Sequence, residues 1–326
     1  MTPPLPTVRG VGPTRVRMPG PGAPDPVLDS LPGLPATAVA YVRDRFPDDA
    51  AWFAEQVAAG RVLGDGGVVV TPETPYEPGV SVWFHRPVPD EDAPPVMLDV
   101  LHEDEWIVAV DKPHGLCSTP KGENVRRSVV VAARCQFGND EISALHRLDR
   151  STGGVLLLCK RAEDRGAFHR MFQERTVRKT YWAVAGVNER VGEQTVRVES
   201  RIRKIQGVVQ AFEEPGEVNA VTDVRRVETF TDADGTWGLY EIAPLTGRTH
   251  QIRVHFSALK HACAGDLTYG ADPALSAGLG LTRQWLHAKK LGFAHPETGG
   301  YVEYESAYPA DLAFAVETLR EGGPQL

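Results

Sequence analysis

The stretch from which the fold can be worked out is HRLDRSTGG, residues 146–154, followed directly by the apolar run VLLL at 155–158. An apolar run of this length, bounded by glycines and by Lys160, predicts a buried strand. Asp149 therefore lies on a loop at the edge of a core, with Arg147 and Arg150 on either side of it. Its carboxylate could cap a turn or react with a substrate, and this stretch alone leaves both open.

The composition is that of a globular protein, with 42% hydrophobic and 24% charged residues in a chain of 326. That length allows one large core and a smaller domain. No uncharged apolar stretch approaches the ~18 residues needed to span a bilayer, and the N-terminus lacks the layout of a secretion signal. The four cysteines show neither close pairing nor metal-ligand spacing. We therefore expect a reduced, cytoplasmic setting, with no membrane partner and no metal.

Charge is distributed unevenly along the chain. The formal net charge is −8, which argues against a protein that coats nucleic acid indiscriminately. Residues 121–180, however, hold 13 Lys or Arg against 7 Asp or Glu, a net charge of +6. Residues 37–105 hold 4 against 14, a net charge of −10. The basic share of the protein therefore surrounds the opening motif.

Three segments and a linker can be distinguished. Residues 1–36 contain 10 of the 26 prolines and are expected to form a Pro/Gly-rich tail, either disordered or draped as an extended arm. Residues 37–90 predict a small domain with the order helix–helix–strand–turn–strand. An acidic linker, 87–95, leads to the main domain at 96–322. Its short strands are broken by Gly and Pro, and helical spacing is found only at 164–175, 248–260 and 309–320. This pattern predicts an α+β fold with a largely antiparallel sheet.

Four short constellations in the main domain combine polar residues with glycine or proline. They are DKPHG at 111–115, the opening stretch, RKTYW at 178–182 and LTGRTHQIRVH at 245–255. Taken singly, each is better explained by structure. Asp149 could pair with Arg150, Tyr181 could be a half-buried strand aromatic, and two histidines five residues apart are poorly spaced for a metal.

Taken together, the constellations resemble the RluA-type RNA pseudouridine synthases. HRLDRSTGG is similar to that family's His-Arg-Leu-Asp-x-x-Thr-Ser-Gly signature, with Gly153 where Ser or Ala is usual. DKPHG resembles its Lys-Pro-x-Gly motif, and RKTYWAVAG its Lys-x-Tyr-x-Ala-x-x-x-Gly segment. GRTHQIRVH matches the family motif residue for residue. Two later stretches, GDLTYG at 265–270 and WLHAKKLGFAHP at 285–296, resemble its last landmarks.

The resemblance implies a mixed, largely antiparallel sheet of the pseudouridine synthase fold. It also implies that residues 37–90 are similar to the small αL-type RNA-binding domain that often precedes it. The implied reaction isomerises uridine to pseudouridine within structured RNA, with ribosomal RNA favoured over transfer RNA. It needs no cofactor or metal. We expect a monomer that binds no DNA.

The resemblance also assigns roles within the site. Asp149 would be the catalytic group, as a nucleophile or as a base for a ribose proton, and Arg253 would hold it charged. Tyr181 would lie against the uracil and help to remove its proton. Arg147 and its basic neighbours would bind flanking phosphates, because a uridine must leave the stack to be reached. The residues expected to contact substrate are Lys112, His146, Arg147, Leu148, Thr152, Arg248, His250, Gln251, Leu286 and His287.

Two other functions are compatible with parts of this sequence. One is a catalytically silent RNA-binding protein on the same fold, which would have lost Asp149, Tyr181 or Arg253, and all three are present. The other is a small-molecule hydrolase using Asp149 with His146. It would need a second acid or base at a defined spacing, and the four motifs contain no second carboxylate of that kind.

Overall fold

The computed structural model describes residues 3–88, 96–122, 124–232, 235–270 and 283–321. The chain divides into two compact units, Met1–Ala93 and Pro94–Leu326. Most of the expected linker at 87–95, and the expected domain end at 322, lie outside the described residues.

The first unit combines three helices with a small antiparallel sheet of order β1-β3-β2. Its elements are β1 (Thr14–Arg17), α1 (Pro26–Ser30), α2 (Ala38–Arg45), α3 (Ala50–Ala58), β2 (Leu63–Gly64) and β3 (Ser81–Phe84). The Thr37 side chain caps α2 by accepting a hydrogen bond from the Ala40 N–H, which explains why the helix begins there. The predicted order of helices and strands over 37–90 matches this part of the unit.

Of the two alternatives for residues 1–36, disordered or draped as an extended arm, the structure agrees with the draped arm, which contributes a strand to the first unit. Strand β1 pairs with β3 along its whole length, from Thr14 opposite Phe84 to Arg17 opposite Ser81. Val16, Met18 and Val27 are buried in the same core as α2 and α3. The many prolines conceal this because a short edge strand has no apolar periodicity long enough to detect.

The second unit is built on an 11-stranded sheet of order β10-β9-β11-β12-β8-β13-β7-β5-β4, with β14 paired to β13 and β6 to β7. Its strands are β4 (Asp99–Glu103), β5 (Ile107–Lys112), β6 (Ser143–Ala144), β7 (Gly153–Cys159), β8 (Arg178–Gly186), β9 (Val196–Lys204), β10 (Ala211–Glu214), β11 (Ala220–Asp232), β12 (Gly235–Pro244), β13 (Leu286–Ala294) and β14 (Tyr301–Glu305). Among the described strands, only β7 and β13 pair in parallel. The predicted α+β fold with a largely antiparallel sheet is confirmed.

Four helices accompany this sheet in the described residues. They are α4 (Val129–Phe137), α5 (Arg165–Gln173), α6 (Gln251–Ala258) and α7 (Ala310–Arg320). The sequence predicts α5, α6 and α7 from their spacing, but α4 is not among the predicted helices. It begins with three valines, which favour strands, and Gly138 in the left-handed conformation ends it.

Strand β7 contains the predicted apolar run and lies in the middle of the sheet. Val155 to Leu158 are all buried, with Leu156 and Leu158 in one core and Val155 and Leu157 in another. Both faces of β7 are therefore covered, as the unbroken apolar run requires. The loop that carries Asp149 leads into this strand, whose first residue, Gly153, pairs with His287 near the start of β13.

Candidate active site

Asp149 lies on the loop between β6 and β7, and the backbone around it is held from both sides. The Ser118 hydroxyl donates to the Leu148 carbonyl at 2.8 Å, and its oxygen accepts from the Leu148 N–H at 3.0 Å. On the other side, the Thr152 N–H donates to the Asp149 carbonyl at 3.0 Å. The Asp149 side chain is 27% exposed. The loop is thus fixed while the carboxylate remains accessible.

Arg253 approaches this carboxylate from α6. Its Nη1 donates to Asp149 Oδ2 at 3.1 Å, and the guanidinium is only 6% exposed. Burial acts to lower the pKa of Arg253, but the carboxylates of Asp266 and Asp149 outweigh it and leave the pKa above its ordinary value. Arg253 is therefore a permanent cation against Asp149.

Tyr181 and Leu286 come from neighbouring strands of the sheet. Tyr181 on β8 is opposite Ala288 on β13, and Leu286 begins β13 opposite Ala183. The Tyr181 ring packs between the core that contains Leu148 and the core that contains Leu286. Burial, and then the Asp149 carboxylate, raise the pKa of the Tyr181 phenol above its ordinary value. The phenol is therefore neutral at neutral pH.

The sequence and the fold are similar to those of known proteins. A family described as RNA pseudouridylate synthase matches residues 106–258. An uncharacterised RNA pseudouridine synthase of Mycobacterium bovis is 37% identical over 69% of this chain and 74% of that protein. The ribosomal large subunit pseudouridine synthase D of Vibrio parahaemolyticus is 30% identical over 82% of this chain and 85% of its own. This chain belongs to the RNA pseudouridine synthase family.

The same relationship holds for solved structures. The human protein titled RNA pseudouridylate synthase domain containing 1 aligns with a TM-score of 0.54 and 26% identity, over 70% of this chain and 97% of that one. The predicted family and fold are therefore confirmed, and the protein is an isomerase. No described helix of this synthase is long and apolar enough to cross a membrane.

Four of the residues that were expected to contact substrate have buried side chains with partners inside the synthase. Lys112 Nζ donates to the carbonyls of Pro113, Leu116 and Arg150, and burial lowers its pKa to about 8. The Gln251 amide oxygen accepts hydrogen bonds from the Thr246 hydroxyl and the Arg248 N–H, and its nitrogen donates to the Val221 carbonyl and the Thr222 hydroxyl. Thr152 accepts from Gln284. His287 bonds Ser306, and burial, then Lys289 and Arg283, lower its pKa to about 4.

The polar atoms of Lys112, Thr152, Gln251 and His287 bond to the protein itself, and direct substrate contact by these residues stays a prediction. Lys112 joins the Pro113–Leu116 turn to the loop that carries Asp149, through the Arg150 carbonyl. Leu148 and Leu286 are buried in the two core clusters against which Tyr181 packs.

The two histidines of the predicted site differ in position. His146 stacks on Phe172 and its Nε2 accepts from the Leu157 N–H at 3.1 Å, so it holds the loop against β7. Burial, and then Lys179, lower the pKa of His146 to about 3, and the ring is neutral. His250 has a left-handed backbone (φ 56°), and its Nε2 lies 3.7 Å from Asp149 Oδ1. Of these two histidines, only His250 therefore adjoins the Asp149 carboxylate.

Arg147 and Arg248 are exposed, unlike the four buried residues. Arg248 donates from Nε to the Asn219 carbonyl at 3.1 Å. Both guanidinium groups can therefore reach a ligand in solvent. Among the described residues, no group of three or more His, Cys, Asp or Glu side chains could hold a metal ion.

Asp266 is the site residue that the sequence analysis missed. It accepts from Arg253 Nε at 2.6 Å and from Arg253 Nη2 at 2.8 Å, and it is 1% exposed. Arg253 thus forms a two-bond bridge to Asp266 and a single hydrogen bond to Asp149. The only sequence signal for Asp266 is a single carboxylate beside a glycine in GDLTYG. Its partner Arg253 cannot be predicted from sequence, because the pairing forms only when the chain folds.

Proposed function

We propose that Asp149 is the catalytic group that isomerises uridine in structured RNA. The observation that supports this is an accessible carboxylate held by a buried arginine, on a loop that is fixed at both ends. The bond between ribose and the base nitrogen breaks, the uracil turns, and a carbon–carbon bond forms in its place. Asp149 either attacks the nucleoside or removes a ribose proton, and either role requires the ionised form that Arg253 stabilises.

Tyr181 has two parts in this proposal. Its ring lies against the face of the uracil, and its oxygen helps to remove the proton at the carbon that forms the new bond. The Asp149 carboxylate contributes to the raised pKa of the phenol. If Asp149 attacks covalently, its charge is consumed, and the phenol becomes easier to deprotonate at the step that needs it.

We propose ribosomal RNA as the substrate, with transfer RNA as the second choice. The Vibrio relative is named for the ribosomal large subunit. Arg147 and Arg150 are exposed on both sides of Asp149, where phosphates flanking a flipped uridine would lie. Unstacking a base costs a few kcal/mol, and phosphate contacts offset that cost. The αL-like order of the first unit supports a contribution to RNA binding.

The remaining expectations are part of the same proposal. All four cysteines are free, which supports a reducing, cytoplasmic location. Asp149, Tyr181 and Arg253 all lie in the second unit of one chain, so the proposed site needs no residue from a second copy, which supports a monomer. The match to the RNA pseudouridylate synthase family supports RNA, and not DNA, as the substrate. A hydrolase is disfavoured because the second carboxylate, Asp266, is buried and bound twice by Arg253.

Asp149→Asn tests the proposal. The variant removes charge and nucleophile without changing shape, so we expect a loss of roughly a thousandfold or more with fold and RNA binding retained. The measurement is tritium release from carbon 5 of labelled uracil in RNA, with Asp223→Asn as control. Activity of Asp149→Asn within about tenfold of wild type would contradict the assignment. Mapping pseudouridines in cells with and without the gene identifies the RNA, and an unchanged map argues for a catalytically silent binder.

A further inference from the structure

The guanidinium of Arg253 faces two carboxylates and forms a different number of hydrogen bonds with each. Nε and Nη2 form one edge of the group, and both donate to Asp266, at 2.6 and 2.8 Å. Nη1 alone is directed to Asp149, at 3.1 Å. A two-bond bridge between a guanidinium and a carboxylate fixes the plane of the guanidinium, whereas a single bond does not. The orientation of Arg253 is therefore determined by Asp266.

Asp266 is itself held rigidly. Its N–H donates to the Cys263 carbonyl at 2.9 Å, and its Oδ1 also accepts from the Thr268 N–H at 3.2 Å. Gly265 has φ 75°, and a Cβ there would lie 2.0 Å from the Arg283 carbonyl oxygen. This close approach permits only glycine at the position before Asp266. The turn cannot shift without displacing a neighbouring backbone.

The turn is also joined to the sheet that carries Tyr181. The Ala264 N–H donates to the Val184 carbonyl on β8, and the Trp285 N–H donates to the Ala264 carbonyl, both at 2.8 Å. Val184 is three residues from Tyr181, and Trp285 directly precedes Leu286. The backbone segments that carry Asp266, Tyr181 and Leu286 are thus held together by hydrogen bonds, which fixes their relative positions.

Tyr269, from the same turn, covers the other side of the arginine. The Arg253 guanidinium carbon lies 4.9 Å from the centre of the Tyr269 ring, and the Tyr269 hydroxyl lies 2.8 Å from His250 Nδ1. His250 in turn lies 3.7 Å from Asp149. Segment 265–269 therefore contacts Arg253 and His250, which both lie beside the Asp149 carboxylate.

We infer that Asp266 is a positioning residue for the isomerisation, which orients Arg253 so that one N–H meets Asp149 and leaves the rest of that carboxylate free to react. This inference rests on the proposed catalytic role of Asp149. Asp266 binds two of the three guanidinium nitrogens and offsets the arginine charge. Asp149 is consequently held by one hydrogen bond instead of being bridged by two, and its Oδ1 makes no bond to Arg253. A carboxylate bridged twice by arginine would be a poorer nucleophile and a poorer base.

Two variants separate positioning from folding. Asp266→Asn keeps the shape but removes the charge and one acceptor, and Asp266→Glu keeps the charge but displaces the carboxylate by one methylene. We expect both to lower the single-turnover rate constant by about tenfold to a hundredfold, because small misplacements of reacting groups have effects of that size. RNA affinity should be unchanged, because Asp266 is buried and cannot contact a ligand.

The matched control is Asp223→Asn. Asp223 is bridged by Arg197 through two bonds, at 2.8 and 3.0 Å, between β11 and β9 and outside the candidate site. It should retain the wild-type rate constant and affinity. Thermal melting of every variant fixes an assay temperature at which it is folded.

The rate constants and melting curves decide the question. Slow turnover of folded Asp266 variants with unchanged RNA affinity supports the inference. A rate constant within about threefold of wild type in either folded variant overturns it, as does loss of RNA affinity in place of rate. If neither variant folds at any assay temperature, Asp266 serves folding and the inference also fails. Asp149→Asn, assayed in parallel, distinguishes the two proposals. If this variant is active, the proposed catalytic role of Asp149 is wrong, whatever the result for the Asp266 variants.

Discussion

At the scale of the residue, the site depends on the pairing of one cation with two anions of different exposure. Asp266 is 1% exposed and Asp149 is 27% exposed, although both bond the same guanidinium. An unpaired charge costs far more in a buried position than near solvent. Breaking the Arg253–Asp266 pair should therefore cost more stability than breaking the Arg253–Asp149 pair, which serves the proposed reaction.

Arg253→Ala should inactivate the synthase and lower the free energy of unfolding by about 3–5 kcal/mol, because Asp266 is left as an uncompensated buried charge. Adding Asp266→Asn should restore part of that stability. Adding Asp149→Asn should restore less, since water reaches Asp149. The measurement is urea unfolding of the single and double variants, and equal stabilities for the two doubles would contradict this division.

At the scale of the element, the start of β7 fits closely against its surroundings. Gly154 has φ 110°, and a Cβ there would lie 2.2 Å from the Ala288 carbonyl oxygen on β13. At Gly153 a Cβ would lie 2.6 Å from His114 Nε2, which accepts a hydrogen bond from the Gly153 N–H at 3.1 Å. Gly153, which departs from the family signature, is therefore matched by His114 in the DKPHG turn, and the departure tightens the packing instead of loosening it.

Gly153→Ser should destabilise the protein by about 1–3 kcal/mol, the usual cost of overpacking, and His114→Ala should relieve much of that cost. Urea unfolding of the two single variants and the double gives their coupling energy. Gly154→Ala is the matched contrast, since its obstacle is backbone and its φ is left-handed, so His114→Ala should not rescue it. Strictly additive effects for Gly153→Ser and His114→Ala would show that the two positions are independent.

At the scale of the whole molecule, the two units have different proposed roles. Every residue assigned a role in the reaction lies in Pro94–Leu326, while the first unit has its own core. Strand β1 adds Arg15 and Arg17 to the basic residues of the first unit, which the sequence analysis counted only from residue 37 onwards. The first unit therefore has more basic residues for an RNA contact than the acidic segment 37–105 suggests.

Deleting residues 1–93 should leave a folded second unit that keeps its chemistry on RNA. If the first unit binds RNA, its loss weakens affinity and reduces the salt dependence, because fewer phosphate contacts release fewer counterions. The measurement is the RNA dissociation constant of both proteins at two or more salt concentrations. A truncation that ends just before Thr14, which keeps β1, is the control. Identical affinity and slope after the full deletion would mean that the first unit resembles an RNA-binding domain in shape only.

The sequence by itself determined the family, the α+β class, the buried strand β7 and the loop that carries Asp149. These features follow from local patterns, namely an apolar run, turn residues and motifs whose members are close together in the chain. The strand order, the incorporation of residues 14–17 into a sheet, and the partner of Arg253 were decided only by the tertiary structure. Asp266 is 13 residues from Arg253, and Asp149 is 104 residues from it. Which of these carboxylates a buried arginine bridges depends on burial and on the direction of its donors, and both exist only once the chain is folded.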